Sequence, residues 1–511
     1  MLNYLQSILL ALLPTVASAQ PSIAWQHNYG GSANEFPGSI QPTNDGGFVV
    51  LANSYSNDGQ VTGQHGQLDL WVVKLDENGG LEWQRCFGSS GNDFDGDIRQ
   101  TPDGGFLIIG SANTVDGDVS NTAGSSDIWV VKLNATGNLD WEKSYGGSLP
   151  DIGRWLHLLP NGEVLLFGET FSPEIEGALG GRDAWVVRIA EDGTQLQQRR
   201  YGGAMEDLMG YSAYFSNGSL FLSGVTNSND GHAAGNHGGG DGMVLSLDEN
   251  LNVNWHTCIG GSSHDNAIAI CSSGDGSIYV GVIALSVDGQ ITNARGAGDF
   301  WLAKLSANGD FLTEGSFGGS ELDGLWSILP AQGGGAYALG FTFSTDVDVS
   351  APKGAEDVWL IKVDDELDLE WELSLGGTSG DRGYSMCFAP DGGLVLACGS
   401  SSSDGDLTGN FGGGDLWVVK FNPEEVGIAE AEPVPFTLYP NPATNELCIG
   451  LVGTTARQLE VVDVTGRIVF TQTVMSGTKT VDLSIAQLAQ GTYSVRLVGE
   501  GQNYSERFIK Y

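Results

Sequence analysis

The stretch Asp69-Leu70-Trp71-Val72-Val73-Lys74-Leu75 decides the fold, because it returns along the whole chain. Variants open at Asp127, Asp183, Asp241, Asp299, Asp357 and Asp415, in steps of 58, 56, 58, 58, 58 and 58 residues. A fixed period of this size marks one supersecondary unit whose copies bury each other's faces. Working outward from Asp69, residues 38–43 read as a short strand and Asn44-Asp45-Gly46-Gly47 as a turn. Phe48–Ser54 reads as a second strand and residues 55–68 as a long loop; residues 69–76 form a third strand, Glu77-Asn78-Gly79-Gly80 a turn, and Leu81–Phe87 a fourth. Asp-Gly and Asn-Gly turns between β-rich runs are hairpin signals, and they recur at Asp103-Gly104, Asn161-Gly162, Asn217-Gly218, Asp275-Gly276 and Asp391-Gly392. Four antiparallel strands per unit, repeated radially, make a β-propeller.

The ends of the array predict closure. The seventh unit stops after Asp415–Phe421 without a fourth strand, and the missing strand stands at the N terminus as Ile23–Tyr29 followed by Gly30-Gly31. Pairing the two removes two exposed sheet edges at once. The expectation is an all-β chain: a seven-bladed β-propeller of four-stranded blades over residues 20–421, closed by its N-terminal strand, then a linker over 422–435 and a small β-sandwich over 436–511.

Columns of the repeat separate scaffold from the rest. Trp71, Trp129, Trp185, Trp301, Trp359 and Trp417 share one column, and Trp25, Trp83, Trp141, Trp255 and Trp371 another; tryptophans at equivalent sites predict packing between blades. Three columns are acidic in every copy. The first runs Glu35, Asp93, Asp151, Asp207, Asp265, Asp323, Asp381; the second Asp58, Asp116, Glu174, Asp230, Asp288, Asp346, Asp404; the third is the Asp that opens each third strand. A meandering blade puts all three at one end of the disc. Asp side chains organise Gly-rich loops by accepting backbone N–H bonds. The competing use is Ca²⁺, a hard cation that needs clustered oxygens, with Asp116 and Asp118, Asp346 and Asp348, and Asp404 and Asp406 as candidate ligands. None of these matches the EF-hand spacing.

Function belongs where copies differ, since shared positions are committed to the fold. Three residues past the first acidic column, the series runs Gly38, Gly96, Arg154, Gly210, Ile268, Trp326, Tyr384. Arg154, Trp326 and Tyr384, with the adjacent Trp155 and Arg382, are expected at the mouth of the central channel as a ligand-binding patch; irregular filling of the channel is the plain alternative. No Gly-x-Ser-x-Gly elbow, His-Glu-x-x-His or Walker loop occurs. A glycosidase needs two carboxyls, and among the many here Asp265, beside His264, is the candidate for acid–base work.

The chain has 63 acidic and 22 basic residues, and its net charge is −41. From Pro433 onward the charges balance, six against six, and the linker adds four Glu, so the repeats hold 53 acids against 16 bases. That field repels nucleic acid and anionic membrane and favours metal cations or basic partners. Residues 1–19 read as a secretory signal peptide, with an apolar core over 9–16 and the cleavage site Ala17-Ser18-Ala19; a buried N-terminal helix is the alternative. No later stretch approaches the ~20 apolar residues of a membrane span, so an exported, soluble protein is expected. Six cysteines in such a chain raise the disulfide question. Cys387 and Cys398, on consecutive strands, form the one local pairing; buried free thiols are the alternative.

The C-terminal segment carries Leu438-Tyr439-Pro440-Asn441-Pro442, then Asn445-Glu446-Leu447-Cys448-Ile449, Val461-Val462-Asp463-Val464-Thr465-Gly466-Arg467, Gly491-Thr492-Tyr493-Ser494-Val495 and a closing Phe508-Ile509-Lys510-Tyr511. In this order the blocks resemble the type A C-terminal sorting domain of the type IX secretion system of Bacteroidetes, with Pro440, Asn441, Pro442, Gly466, Gly491, Tyr493 and Lys510 as motif positions. The resemblance implies passage across the outer membrane by that machinery, removal of the segment, and release or attachment at the cell surface. The expected function is therefore an exported binding or adhesion module with a glycan or basic protein as partner, and an extracellular polysaccharide-active enzyme using channel-mouth carboxylates is the alternative.

Overall fold

The computed structural model describes residues 20–177, 179–216, 218–424, 436–451, 458–463, 467–475, 478–498 and 503–511. The predicted signal peptide, most of the linker and Gly466 lie outside them. The chain divides into two compact units, meeting in sequence at Glu424/Glu425.

The first unit consists of seven four-stranded antiparallel sheets, six of them meanders in sequence order and the seventh taking its outer strand from the chain's N-terminal segment. In blade 1 the strands, a to d from the axis outward, are Glu35–Pro42, Phe48–Ser54, Asp69–Leu75 and Leu81–Phe87. Strand a begins three residues earlier than the sequence suggests, because a β-bulge between Pro37 and Ser39 absorbs Gly38 and lets pairing continue to Glu35. The bulge recurs in all seven inner strands. Strands b and c of blade 1 are buried at every position, which explains their unbroken apolar runs: each face packs on a neighbouring blade.

Blade 7 comprises Asp381–Phe388, Leu394–Ser400 and Asp415–Phe421, and Ile23–Tyr29 supplies its fourth strand, pairing Tyr29 with Leu416 and Trp25 with Lys420. Even the side-chain bond of the other blades is reproduced. Trp71 Nε1 donates to Gln84 Oε1 at 2.9 Å within blade 1, and Trp417 Nε1 donates to Gln26 Oε1 at 3.0 Å across the closure. The apolar clusters follow the ring. One joins Trp71 and Val73 of blade 1 to Leu416 and Val418 of blade 7, another joins Leu70 and Val72 to Trp129 and Val131 of blade 2, and the remaining junctions are filled likewise. The first tryptophan column is fully buried in these clusters. Of the second, Trp25, Trp83, Trp141 and Trp255 lie over the next blade's c–d turn: a Cβ on Gly79 would stand 2.8 Å from the Trp25 ring, and one on Gly137 2.8 Å from Trp83; Trp371 packs in the blade 6/blade 7 cluster. Both columns are packing, as their repetition predicts.

The six cysteines are free thiols. The expected facing of Cys387 and Cys398 is corrected by register: Cys387 pairs with Val395, and Cys398 with Gly383. Three residues from the facing position puts Cys398 on the opposite side of the sheet, and the two thiols sit in different core clusters.

The second unit is a two-sheet β fold. Phe436–Tyr439, Glu446–Leu451 and Thr480–Ser484 make one sheet; Ile468–Thr473, Gln458–Asp463, Gly491–Val498 and Asn503–Lys510 make the other. Leu447, Ile449, Leu459, Val461, Val495, Leu497 and Phe508 form its buried centre.

Candidate functional site: the central channel and the loop face

The three acidic columns do gather at one end of the blades, and the structure gives each a different task. First-column carboxylates are buried and tie the loops together. Asp93 accepts from Ser89 N at 2.6 Å; Asp265 accepts from Gly261 N at 2.8 Å, from Leu285 N and Ser286 N at 3.0 Å, and from Ser286 Oγ at 2.6 Å. Asp265 is thus a fully bonded loop anchor and does not line the channel. Third-column carboxylates take the N–H four residues back, as Asp69 does from His65 at 2.7 Å. The other oxygen, Oδ1, has no hydrogen-bond partner among the described residues in any of the seven copies. It faces the first-column carboxylate of the next blade: a Cβ on Gly146 would lie 2.2 Å from Asp127 Oδ1 and 2.7 Å from Asp151 Oδ2, and Gly318 and Gly376 show the same pincer. Only glycine leaves room there. Burial, reinforced by the facing carboxylate, pushes Asp93 and Asp415 up to about 6.

The second column is solvent-exposed and bonded to backbone. Asp116 accepts from Ser90 N at 2.7 Å and Oγ at 2.6 Å, Asp346 from Ser320 N at 2.8 Å, and Asp404 from Thr378 N at 2.8 Å. These bonds hold Asp116 and Asp404 below the usual carboxylate range. Their companions turn elsewhere: Asp118 accepts from Gly88 N, Asp348 from Gly318 N and Asp406 from Gly376 N, at 3.1–3.2 Å. His65, Arg295 and Lys353 stand 3.5, 3.2 and 3.6 Å from these three carboxylates. Among the described residues no group of three or more His, Cys, Asp or Glu is arranged to hold a metal ion.

Inside the ring of strands a lies a cavity of about 1010 Å³. The bulge residue of each inner strand is the variable column found in the sequence: Gly38, Gly96, Arg154, Ile268, Trp326 and Tyr384 all line the cavity. A bulge re-aims its side chain out of the pleat, so the fold itself delivers the non-repeated residues to the axis. Trp326 and Tyr384, from adjacent blades, lie nearly parallel at 22° with ring centroids 6.0 Å apart. Trp155 also lines the cavity, with the Arg99 guanidinium 4.3 Å over its ring. Arg382 is not part of the lining; it pairs with Glu356 and stacks over Phe341 at 4.8 Å.

Sequence columns alone missed Asp95, Asp97 and Arg99. Asp95 stands in a column otherwise filled by Pro37, Gly153, Met209, Ala267, Leu325 and Gly383, so its charge was a readable break in the pattern. Its carboxyl occupies the space that Gly38 leaves open, 1.8 Å from where a Cβ would be. Burial raises it to about 7, against the pull of Arg154. Asp97, fully buried, accepts from Ser39 Oγ at 2.7 Å and pairs with Arg99 at 2.9 Å. Arg154 stands 3.5 Å from the buried Glu169, which also pairs with Arg182.

In the second unit Asn441 clamps the last strand, donating to Arg507 O at 2.9 Å and accepting from Ile509 N at 3.1 Å. Tyr493 donates to Ala489 O at 3.0 Å and stacks on Phe508. Gly491 opens the strand that bears Tyr493, Lys510 is buried at the end of the last strand, and Pro440 and Pro442 flank Asn441. Residues 437–511 match the family of secretion system C-terminal sorting domains. The chain therefore carries the sorting signal of type IX export to the cell surface or beyond.

Elsewhere the likenesses are distant. The chain is 27% identical over 201 residues to the regulatory protein FlaEY of Caulobacter vibrioides, a match covering 35% of this chain and 21% of that relative, about a fifth of its length. Among solved structures, the Neurospora crassa Pan2 WD40 domain is similar at 10% identity and a TM-score of 0.44, over 78% of this chain and 96% of that one. The extracellular domain of a putative one component system from B. thetaiotaomicron is similar at 10% identity and a TM-score of 0.29, over 93% of this chain and 68% of that one. Among the described residues no helix is long and apolar enough to cross a membrane.

Proposed function

We propose that this protein is a non-catalytic binding or adhesion module displayed outside the cell, whose ligand enters the central channel. In this reading residues 1–19 are a signal peptide removed at the inner membrane, the C-terminal unit engages the type IX machinery at the outer membrane, and the propeller is the cargo. The observation that carries it is the placement of Arg154, Trp326 and Tyr384 at bulges lining a cavity of about 1010 Å³, large enough for a small-molecule site, where about 300–1,000 Å³ is usual. The polysaccharide-active enzyme draws on Asp95 alone. Glycoside cleavage needs two carboxyls across the bond, and the neighbouring Asp97 is bonded to Arg99 and Ser39.

The test is a screen of the purified chain against soluble glycans, basic peptides and small organic ions, read by thermal shift and tryptophan fluorescence, with product analysis in parallel. Binding without turnover, lost in a Trp326→Ala/Tyr384→Ala double variant, supports the module. Product that accumulates with the unaltered chain and stops with Asp95→Asn replaces it with the enzyme. Binding indifferent to the double variant places the ligand elsewhere.

A further inference from the structure

We infer that the channel wall formed by Trp326, Tyr384, Asp95 and Arg154 is a saccharide subsite, and that its ligand is an uncharged oligosaccharide whose ring lies on the aromatic pair while its hydroxyls bridge the acid and the base. The inference rests on the channel being the ligand site and goes on to name the ligand's chemistry.

Going round the axis from blade 6 to blade 3, the wall reads indole, phenol, carboxyl, guanidinium. Blade 1 interrupts this order with glycine, and Asp95 of blade 2 fills the gap by laying its carboxyl over Gly38. A Cβ on Gly96 would meet Arg154 O at 2.9 Å, so the backbone of blade 3 comes close there as well. Two glycines at the bulge thus turn four side chains from separate blades into one continuous surface.

The aromatic half offers open faces. The two rings are nearly parallel with centroids 6.0 Å apart, within the range of offset aromatic pairs, and both line the cavity. Such a face takes apolar C–H groups. The polar half offers an acceptor beside a donor: an ionised carboxylate only accepts and a guanidinium only donates. A hydroxyl does both, and can give its proton to Asp95 while accepting from Arg154. One ligand type presents an apolar face and an edge of hydroxyls together, the sugar ring.

Charge decides between a neutral sugar and a charged one. Above about pH 7, where Asp95 is ionised, three acids at and behind this wall, Asp95, Asp97 and Glu169, meet three bases, Arg99, Arg154 and Arg182. Arg382 beside Tyr384 is matched by Glu356. Burial holds the pKa of His157 down, which keeps it neutral. In a unit with 53 acids to 16 bases, a wall without net charge is a local departure, and neither an anion nor a cation gains from it. The volume exceeds what one sugar ring fills, so an oligomer is expected.

The experiment is calorimetric titration of the full chain with maltohexaose, cellohexaose, laminarihexaose and mannohexaose, and with trigalacturonate and a chitosan oligomer as charged probes. At least one neutral hexamer is expected to bind more tightly than either charged probe, and Trp326→Ala or Tyr384→Ala to weaken it about tenfold or more. Trp326→Phe and Tyr384→Phe, which keep the ring, should hold affinity within about threefold and show that the alanine variants failed through the face rather than through folding. Asp95→Ala should weaken the neutral hexamer and strengthen trigalacturonate, because it leaves the wall with one more base than acid. A charged probe that binds best and depends on Trp326 overturns the ligand class while leaving the channel as the site. No Trp326-dependent binding with any of the six probes overturns the inference, and the screen above then decides separately whether the channel binds anything.

Discussion

The loop face and the channel wall are built from the same seven copies and use them in opposite ways. On the loop face each position is repeated: a buried carboxylate at Asp93 and its six equivalents, a second at Asp69 and its equivalents, an exposed one at Asp116 and its equivalents. Nearly every one accepts backbone N–H bonds, so its chemistry is consumed in shaping loops. On the channel wall the equivalent positions carry glycine, arginine, isoleucine, tryptophan and tyrosine, and the side chains face a cavity. Repetition marks what the fold needs; departure at a geometrically privileged position marks what it can do without.

The harshest way to break that comparison is to open the ring. Deleting residues 20–29 removes the d strand of blade 7, strips Trp417 of its Gln26 acceptor and exposes sheet edges. Loss of cooperative unfolding and aggregation are expected, checked by scanning calorimetry and light scattering; a deleted chain that melts as sharply as the intact one would mean that the closure contributes little. Next in size are two alanine variants of tryptophan. Trp71→Ala empties a fully buried site in the blade 1/blade 7 cluster and should cost about 3–5 kcal/mol. Trp326→Ala removes a half-buried channel ring, and should cost under about 1.5 kcal/mol while removing ligand binding. Denaturant midpoints of equal size for both would erase the distinction between scaffold and site.

A third test uses pH. At two blade junctions a facing carboxylate has a pKa raised to about 6 against an ordinary 3.8, Asp93 and Asp415. A group whose folded pKa is raised binds more protons folded than unfolded, so its stabilisation is complete below the ordinary value and fades as pH climbs through about 6. His65 at Asp69, Arg200 at Asp183 and His237 at Asp241 soften the effect, as do the charges of Arg295 near Asp299 and Lys353 near Asp357. Asp415 faces Glu35, and Asp58 acts in turn on Glu35, so further negative charge adds to this junction. Melting temperature should therefore fall from pH 5 to pH 8, and Asp415→Asn should flatten the slope by removing one of the paired charges. A midpoint that rises over this range contradicts the pairing.

Much of this was legible beforehand. The period, the number of blades, the closing strand and the role of both tryptophan columns follow from spacing, because periodic burial leaves periodic residues. The channel residues Arg154, Trp155, Trp326 and Tyr384 were visible as breaks in the repeat. Three things were hidden. The bulge at Gly38 made the inner strand look shorter, since Pro37-Gly38 mimics a strand end. Asp95 was a break in its own column, but among so many carboxylates that break drew no notice until the cavity singled it out. The register that separates Cys387 from Cys398 depends on which residues the turn at Asp391-Gly392 pairs, and consecutive strands alone do not fix that.

The smallest expected effect sharpens the comparison from the loop side. If the exposed acids serve the loops, calcium finds Asp116 and Asp404 engaged with Ser90 and Thr378, and Asp118 and Asp406 beside His65 and Lys353. A bound ion must displace those partners before it gains its usual six to eight oxygens. Millimolar calcium or excess chelator should then move the melting temperature by less than about 1 °C, whereas a site occupied at a hundred times its dissociation constant adds about 2.7 kcal/mol, about 3 °C for a unit of about 400 residues. A calcium-dependent rise of that order, abolished by Asp116→Asn/Asp118→Asn, would make the loop face a second functional surface, and repetition would no longer be a sign of scaffold alone.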